Sequence, residues 1–472
     1  MPLLRPVPLQ PATAVGGVHF IAIGGAGMSG IAAAYHALGV PVSGSDRSPS
    51  PALDHLARLG ITTFVGHDAA QLGEAETVVV SSAIKPDNPE LADARRRGLR
   101  VWHRSAALGA LMLGRRGVAV TGTHGKTTTS GMIATMLVGV GADPGYVIGS
   151  PLAATGESSA LGTGEAFVVE ADESDGSFLQ YPAEIVAVTN IEADHLDNWG
   201  TPAAYVAGFA EMAGADGVRT VVLSADDPHT PELAAALAAA GKQVVTVGEG
   251  SDADVRLTDL ELTAAVTRAR LVADGDEGAL ELAVPGRYNL QNAAAAYAVG
   301  RALGHDGPAL RSALADFAGT HRRFEYKGAL GGVRVYDDYA HHPTEVAAAL
   351  AAARTRVEEG GRLVAVFQPH LFSRTRDFAG EFADALRAAD LVVVCGIYPA
   401  REDAADFPGV SADLIARPVA DAGTDTLLVP GLAAAADALA ARLRPGDLVV
   451  TLGAGDITTL GPLVLARLGE RR

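Results

Sequence analysis

The stretch AVTGTHGKTTTSGM, residues 119–132, decides the fold. Its apolar start reads as a strand, Gly122 and Gly125 as a turn, and Lys126 with three threonines as the opening of a helix. A strand that turns on glycines into a helix aims backbone N–H groups at an anion. It also brings Lys126 within reach of terminal phosphates and offers the Thr127 hydroxyl to a divalent cation. Only two residues, Thr123 and His124, separate the glycines, fewer than in the common phosphate-loop pattern, so an ordinary strand-to-helix turn is the competing reading. Composition favours the phosphate. The chain holds four lysines, Lys85, Lys126, Lys242 and Lys327, and the rest of its 37 basic residues are Arg. A compact ammonium suits a loop wrapped closely round phosphate better than a planar guanidinium does.

Working outward, short apolar runs alternate with Ala-rich helical stretches. VHFIAI, PVSGSD and TVVVSSAI precede the loop, and AFVVEADES, EIVAVTNIEADH and TVVLSADD follow it. GRLVAVFQPH, DLVVVCGIYPA and DLVVTLGAGD make a third series. This alternation predicts an α/β protein with mainly parallel sheets, whose polar strand ends feed loops at the carboxyl edge, where open sheets bind ligands. The segment from DVRLTDLELT to ALELAVPG reads as an antiparallel insertion before a helix at YNLQNAAAAYAVGRALG. A length of 472 residues suggests about three domains, with boundaries near 114–117 and 318–322.

With 37 basic and 55 acidic residues the formal charge is -18, which disfavours nonspecific nucleic-acid binding and leaves room for local basic sites that take an anionic metabolite. The single cysteine, Cys395, lies in the apolar run LVVVCG and reads as a buried, inert thiol in a reducing compartment. The amino terminus lacks the apolar core of a signal peptide, and no run approaches a membrane span. A cytoplasmic protein without membrane or nucleic-acid partners is expected, with a flexible tail over residues 1–16. Monomer and homodimer both stay open.

Five further groups carry chemistry. GGAGMSG places Gly25, Gly27 and Gly30 in a G-x-G-x-x-G turn between strand and helix, with Asp46 ending the next strand. This seats a diphosphate, of a nicotinamide cofactor or of another nucleotide. EADESD supplies Glu170, Asp172, Glu173 and Asp175; Glu170 is the expected Mg²⁺ ligand and the other acids read as solvated or capping. His195, in NIEADHLDNW, follows the next strand, and residue chemistry alone makes it a packing or hydrogen-bonding residue. Arg322, Arg323, Asp337, Asp338, His341 and His342 form the densest cluster, fit for phosphate or carboxylate or for a structural ion-pair network. His370, Arg374 and Arg376, in FQPHLFSRTRD, suit a substrate carboxylate.

Taken together, GGAGMSG, GTHGKTT, EADESD, TNIEADH, GRYNLQN, RRFE, DDYAHHPTE and FQPHLFSRTRD resemble the Mur ligases of peptidoglycan synthesis, in order and over nearly the whole chain. The resemblance implies three domains: a Rossmann-like UDP-sugar lobe over 17–114, a central P-loop-type ATPase over 115–318 and a Rossmann-like amino-acid lobe over 319–472. It implies ATP-dependent ligation of L-alanine to the carboxylate of UDP-N-acetylmuramate through an acyl phosphate, releasing ADP and phosphate, with Mg²⁺.

By that resemblance Gly122, Thr123, His124, Gly125, Lys126, Thr127, Thr128, Asn289, Asn292, Arg323, Asp338, Tyr339 and His342 would hold ATP. Thr127, Glu170 and His195 would hold Mg²⁺. The UDP-sugar would lie on Gly25, Ala26, Gly27, Met28, Ser29, Gly30, Asp46, His67, Ser81, Ser82 and Arg104, and the amino acid on His341, His370, Arg374 and Arg376. Lys126, His195 and Arg323 would carry the catalysis. One departure stands out: some related ligases use a carbamylated lysine in the central domain, and this chain has no lysine between Lys126 and Lys242. A peptide-recycling ligase, a NAD-dependent oxidoreductase and an ATP-regulated binding module are the rival readings.

Overall fold

The computed structural model describes residues 3–25 and 27–470, and its named strands form three sheets. The chain makes two compact units. One is built from the chain up to Thr258 with Arg270–Leu280 and Gln291–Phe317, the other from Asp259–Ala269, Glu281–Leu290 and the chain from Ala318 onward.

The first sheet contains β1 (Val18–Ile21), β2 (Val42–Asp46), β3 (Thr62–Val65), β4 (Thr77–Val80) and β5 (Arg100–His103), in the order β3-β2-β1-β4-β5 with every pairing parallel. Strand order reverses between β1 and β4, and the crevice beyond their carboxyl ends is where such sheets take ligands. β1 is buried along its whole length, and Phe20 meets Tyr35 of the helix Met28–Ala37 edge to face at 6.0 Å. Tyr35 in turn donates its hydroxyl to Ala107 O at 2.9 Å, satisfying a buried polar atom that would otherwise cost stability.

The second sheet has ten strands. They are β6 (Arg116–Thr121), β7 (Gly145–Val147), β8 (Ser159–Ala160), β9 (Ala166–Glu170), β10 (Ile185–Val188), β11 (Thr220–Ser224), β12 (Gln243–Gly248), β13 (Val255–Leu262), β14 (Thr267–Ala273) and β15 (Asp276–Leu282). Their order is β15-β14-β13-β12-β11-β10-β6-β9-β7-β8. β6 lies between β10 and β9, parallel to both, so the glycine loop after β6, the acids after β9 and the residues after β10 leave one sheet edge side by side. Beneath the acid loop, Phe178, Trp199, Tyr205 and Phe209 pack edge to face at 5.1 to 6.0 Å, fixing the helices Leu196–Trp199 and Pro202–Gly214.

The third sheet runs β16 (Glu325–Leu330), β17 (Val333–Asp338), β21 (Leu448–Leu452), β18 (Leu363–Phe367), β19 (Leu391–Cys395) and β20 (Asp425–Val429). All its pairings are parallel except β16 with β17. Apolar side chains cover both faces, which is why β18, β19 and β21 read as unbroken apolar runs. Cys395 is buried, and burial pushes its thiol up to about 12, so it is inert as expected.

Where a flexible tail is expected, the chain is held. Leu4 N–H donates to Asp175 O at 2.9 Å, Val7 N–H to Gln180 Oε1 at 2.7 Å, and Ala12 and Val15 are buried. Pro6, Pro8 and Pro11 favour extended backbone at the residues before them, and that backbone bonds to a neighbouring loop. No helix among the described residues is long and apolar enough to cross a membrane.

Candidate active site

In the first unit the glycine loop is shaped by close approach. Gly122 has φ 126°, and a Cβ on it would stand 2.1 Å from Thr189 Oγ1; Gly125 has φ 83°, and its Cβ would stand 2.8 Å from Asn292 Oδ1. Side chains therefore fit at neither position. The segment after β10 clasps the loop. Thr123 N–H donates to Asn190 O (3.0 Å), His124 N–H to Asn190 Oδ1 (2.9 Å), and Thr189 and Asn190 donate to His124 O (2.5 and 3.0 Å). Thr123 is buried, bonds the Glu192 carbonyl (2.8 Å) and meets the Tyr205 hydroxyl (3.0 Å), while His124 Nε2 lies 2.9 Å from Glu192 Oε2. Thr128 is buried in the first turn of the helix Lys126–Gly139.

Lys126 Nζ donates to Gly122 O (2.6 Å) and Thr123 O (3.1 Å), and meets Glu173 at 2.8 to 3.0 Å. Glu173 is wholly buried; burial pushes its carboxyl up to about 7 against the pull of the Lys126 ammonium, while Lys126 stays charged. The expectation that the acids around Glu170 are solvated or capping fails at Glu173, because the Tyr205 and Trp199 cluster closes over it: Trp199 Nε1 donates to its carbonyl at 2.9 Å. Beside the loop, the Thr127 hydroxyl donates to Glu170 Oε1 at 3.0 Å, and Gly149 N–H holds Glu170 Oε2 at 2.8 Å. A hydroxyl and a carboxylate are the hard oxygen donors that Mg²⁺ prefers, so this pair fits the ion. His195 sits at φ 53° with Nε2 3.6 Å from Asp194 Oδ2 and 3.9 Å from Glu173 Oε1.

The first sheet's glycine turn faces the same unit's acids. Gly25 N–H closes the turn on Ala22 O, Met28 and Ser29 bond back to Gly25 O, and Gly27 has φ 78°. Ala26 lies outside the described residues. A Cβ on Gly30 would meet Ser159 Oγ at 3.0 Å, so the helix packs closely there. Asp46 Oδ2 accepts the Gly24 N–H at 3.0 Å and braces the turn. Ser81 is half-buried, and Ser82 Oγ donates to Asp175 Oδ2 at 2.5 Å. Arg104 Nη2 donates to Asp172 Oδ2 at 2.9 Å. Burial would raise Asp172, but Arg104, Lys126 and Ser174 hold it down at about 2. The acid loop thus touches both the glycine turn's neighbours and the lysine loop. His67 comes after β3 and bonds Glu90 Oε2 through Nδ1 at 2.8 Å.

In the second unit, two guanidiniums approach the Tyr339 ring, Arg322 at 4.8 Å and Arg323 at 5.3 Å from its centre. The two acids at the end of β17 part company. Asp337 is fully buried, accepts from Thr451 (2.6 Å) and Thr458 (2.7 Å) and is structural. Asp338 accepts N–H bonds from Phe324 and Ala340, both 2.8 Å; burial pushes it up to about 6 against Arg323 and those N–H groups. Arg323 pairs with Glu345 at 3.7 Å, and Glu345 also accepts the backbone N–H groups of His341 and His342. Asn289 is buried and donates to Pro285 O at 2.6 Å.

His370 stacks on Tyr398 at 5.9 Å and stands edge-on to His341 at 6.1 Å. Burial, with His341, Arg374 and Arg401 nearby, pushes it down to about 4, so it is neutral at pH 7. Arg374 is buried, whereas Arg376 is exposed and pairs with Asp377 at 2.7 Å. Sequence reading missed Thr189, Asn190 and Glu192, and named Glu173 without its burial beside Lys126. Their signal is adjacency of β9 and β10 to β6, which a chain order does not reveal.

Three sequence models match the chain: Mur ligase family, catalytic domain, over residues 17–116; Mur ligase middle domain over 120–300; and Mur ligase, glutamate ligase domain over 322–455. The chain is 61% identical to a UDP-N-acetylmuramate--L-alanine ligase of Cutibacterium acnes, over 99% of both chains. It is 52% identical to the like-named protein of Kineococcus radiotolerans, over 97% of both. Among solved structures, UDP-N-acetylmuramate-alanine ligase MurC of Thermotoga maritima superposes with a TM-score of 0.81 at 29% identity, covering 97% of this chain and 100% of that one. A murein peptide ligase of Psychrobacter arcticus shares the fold, with a TM-score of 0.70 at 24% identity, covering 96% and 99%.

Proposed function

The chain belongs to the Mur ligase family, and from that premise we propose that it joins L-alanine to the carboxylate of UDP-N-acetylmuramate with cleavage of ATP, in cytoplasmic peptidoglycan precursor synthesis. The observation that carries this reading is the end-to-end 61% identity with a ligase of that name. The domains are 17–114 for the UDP-sugar, 115–318 for ATP and 319–472 for the amino acid.

In the first step a muramate carboxylate oxygen attacks the γ-phosphorus, the bond to the bridging oxygen breaks, and ADP leaves with that electron pair. Two anions must meet, so positive charge has to be in place beforehand. Lys126 supplies it from the floor of the glycine loop, where the N–H groups from Gly125 onward, at the start of the helix, would bind the phosphates, and Arg323 is the guanidinium proposed to hold phosphate. Asn289, Asn292, Asp338, Tyr339 and His342 would hold the rest of ATP. Thr127 and Glu170, with His195, would hold Mg²⁺, which when bound neutralises phosphate charge.

The second step needs a neutral amine held at the acyl carbonyl with water kept out. The amine nitrogen bonds to the carbonyl carbon, the carbon–oxygen bond to phosphate breaks, and the amine sheds a proton as phosphate leaves. His341, His370 and Arg374 would fix the amino acid's carboxylate. Arg376 would join them by exchanging Asp377 for the substrate. Neutral at pH 7, His370 would contribute a hydrogen bond to that recognition and leave the positive charge to the guanidiniums.

The test is mass analysis of products from purified protein given UDP-N-acetylmuramate, ATP and Mg²⁺ with L-Ala, Gly, L-Ser or tripeptide in separate reactions. Alanyl product is expected. Use of tripeptide with no use of L-Ala would replace this reading with the peptide-recycling one.

A further inference from the structure

A carboxylate with no part in the two steps above is buried behind the first sheet's carboxyl edge. Glu90 is 0% exposed. Its Oε1 lies 3.2 Å from His19 Nε2, and its Oε2 accepts the Ser45 hydroxyl at 2.6 Å and lies 2.8 Å from His67 Nδ1. Burial would raise its pKa, but these hydrogen bonds win and hold it below the usual carboxylate range, so it is ionised and can only accept.

The proton on His67 is placed by elimination. The two atoms against Nδ1 are Glu90 Oε2 and Ser45 Oγ, the latter at 2.9 Å. The Ser45 hydroxyl already gives its one proton to Glu90, so both neighbours of Nδ1 accept and Nδ1 carries the hydrogen. In a neutral imidazole Nε2 is then bare, a hydrogen-bond acceptor. Nε2 has no partner among the described residues, and the side chain is 19% exposed.

His67 also has a defined place along the edge. The diphosphate seat is the glycine turn after β1. Asp46, ending β2, braces that turn, and Gly66 N–H donates to Asp46 O at 2.7 Å, tying the end of β3 alongside. A nucleotide with its diphosphate after β1 extends its ribose toward the end of β2 and its base beyond. The base therefore comes to the β3 end, where His67 stands.

We propose that Glu90 is a positioning residue for the UDP-sugar: it fixes His67 in the Nδ1-protonated tautomer, so that Nε2 accepts the N3–H of uracil. This rests on the functional reading above. Uracil in a nucleotide has one N–H, at N3, whereas N3 of cytosine is itself an acceptor and would face Nε2 lone pair to lone pair. The pair Glu90–His67 thus selects the base as well as binding it.

The experiment combines ¹⁵N NMR of His67 in the free enzyme with kinetics of Glu90→Gln and His67→Asn on the UDP-sugar and its CDP counterpart. Gln at position 90 can donate to Nδ1 and move the proton to Nε2. Asn at position 67 keeps a donor for Glu90 but removes Nε2. Expected are an Nδ1-protonated His67 in the wild type and, in both variants, a KM for the UDP-sugar raised about tenfold, with kcat and the KM for ATP unchanged. The preference for UDP over CDP should narrow in both, a change that simple loosening of the lobe would not produce. Wild-type turnover with His67 protonated on Nε2, or wild-type KM in both variants, overturns this inference alone. No wild-type turnover of the UDP-sugar overturns the functional reading and this inference with it.

Discussion

Lys126 Nζ lies 2.8 Å from Glu173 Oε2, and that carboxylate is wholly buried. The ammonium is pinned at the floor of the loop by a counter-charge and two backbone carbonyls, so its position is set before any phosphate arrives. Such preorganised charge is worth most where water is excluded. Lys126→Ala should lower kcat for ADP formation by two to three orders of magnitude, roughly 3–4 kcal/mol of transition-state stabilisation. UDP-sugar affinity, measured by calorimetry, should stay unchanged. Normal ADP production by the variant would remove Lys126 from the mechanism.

Gly125→Ala tests the loop's shape. The residue has φ 83°, and the added Cβ would stand 2.8 Å from Asn292 Oδ1. An L-residue in this region costs about 1–2 kcal/mol before any displacement of the amide. ATP affinity should fall about tenfold or more, since 1.4 kcal/mol is tenfold in binding. Equilibrium binding of an ATP analogue reads this directly, and unaltered affinity would mean that nucleotide does not enter this turn.

The bond from Thr127 to Glu170 makes a prediction about metal. Glu170→Gln keeps the size and one acceptor but removes the charge. The Mg²⁺ concentration for half-maximal activity should rise at least about tenfold. Thr127→Val should move it the same way. A wild-type Mg²⁺ curve in both variants would place the ion on other residues.

Asp338 gives a pH signature in stability. Its folded pKa, about 6, is above the ordinary value of 3.8. The folded state therefore holds a proton more tightly than the unfolded chain, and this contribution is full below about pH 4 and lost as pH rises through 6. Asp338→Asn removes the titration. Between pH 4 and 7 the wild type should lose up to about 3 kcal/mol relative to the variant, measured by urea unfolding. Parallel curves would show that the carboxyl is not strained by its burial.

Features set by the order of strand, turn and helix along the chain were legible in the sequence. The loop from Gly122 to Lys126, the turn from Gly25 to Gly30, the insertion before residue 287 and the three sheets all lie where the pattern puts them. Hidden in it was everything that depends on lateral order. Thr189 and Asn190 hold the glycine loop only because β10 is next to β6, and Glu173 is buried only because Trp199 and Tyr205 close over it. Adjacent identical residues also separate in space: Asp337 satisfies two threonines in the interior, while Asp338 holds two backbone N–H groups near Arg323. Arg374 and Arg376 differ likewise, one buried and one exposed, because residues two apart point about 200° away from each other round a helix, to opposite sides of one turn.

The central claim is that the lysine loop hands the γ-phosphoryl group of ATP to a carboxylate. UDP-N-acetylmuramate labelled with ¹⁸O in both carboxylate oxygens tests it most directly, with L-Ala, ATP and Mg²⁺ present and the released phosphate analysed by mass. If the carboxylate is phosphorylated, each phosphate carries one ¹⁸O and each amide carbonyl keeps the other. Phosphate released without label, alongside alanyl product, would contradict the account.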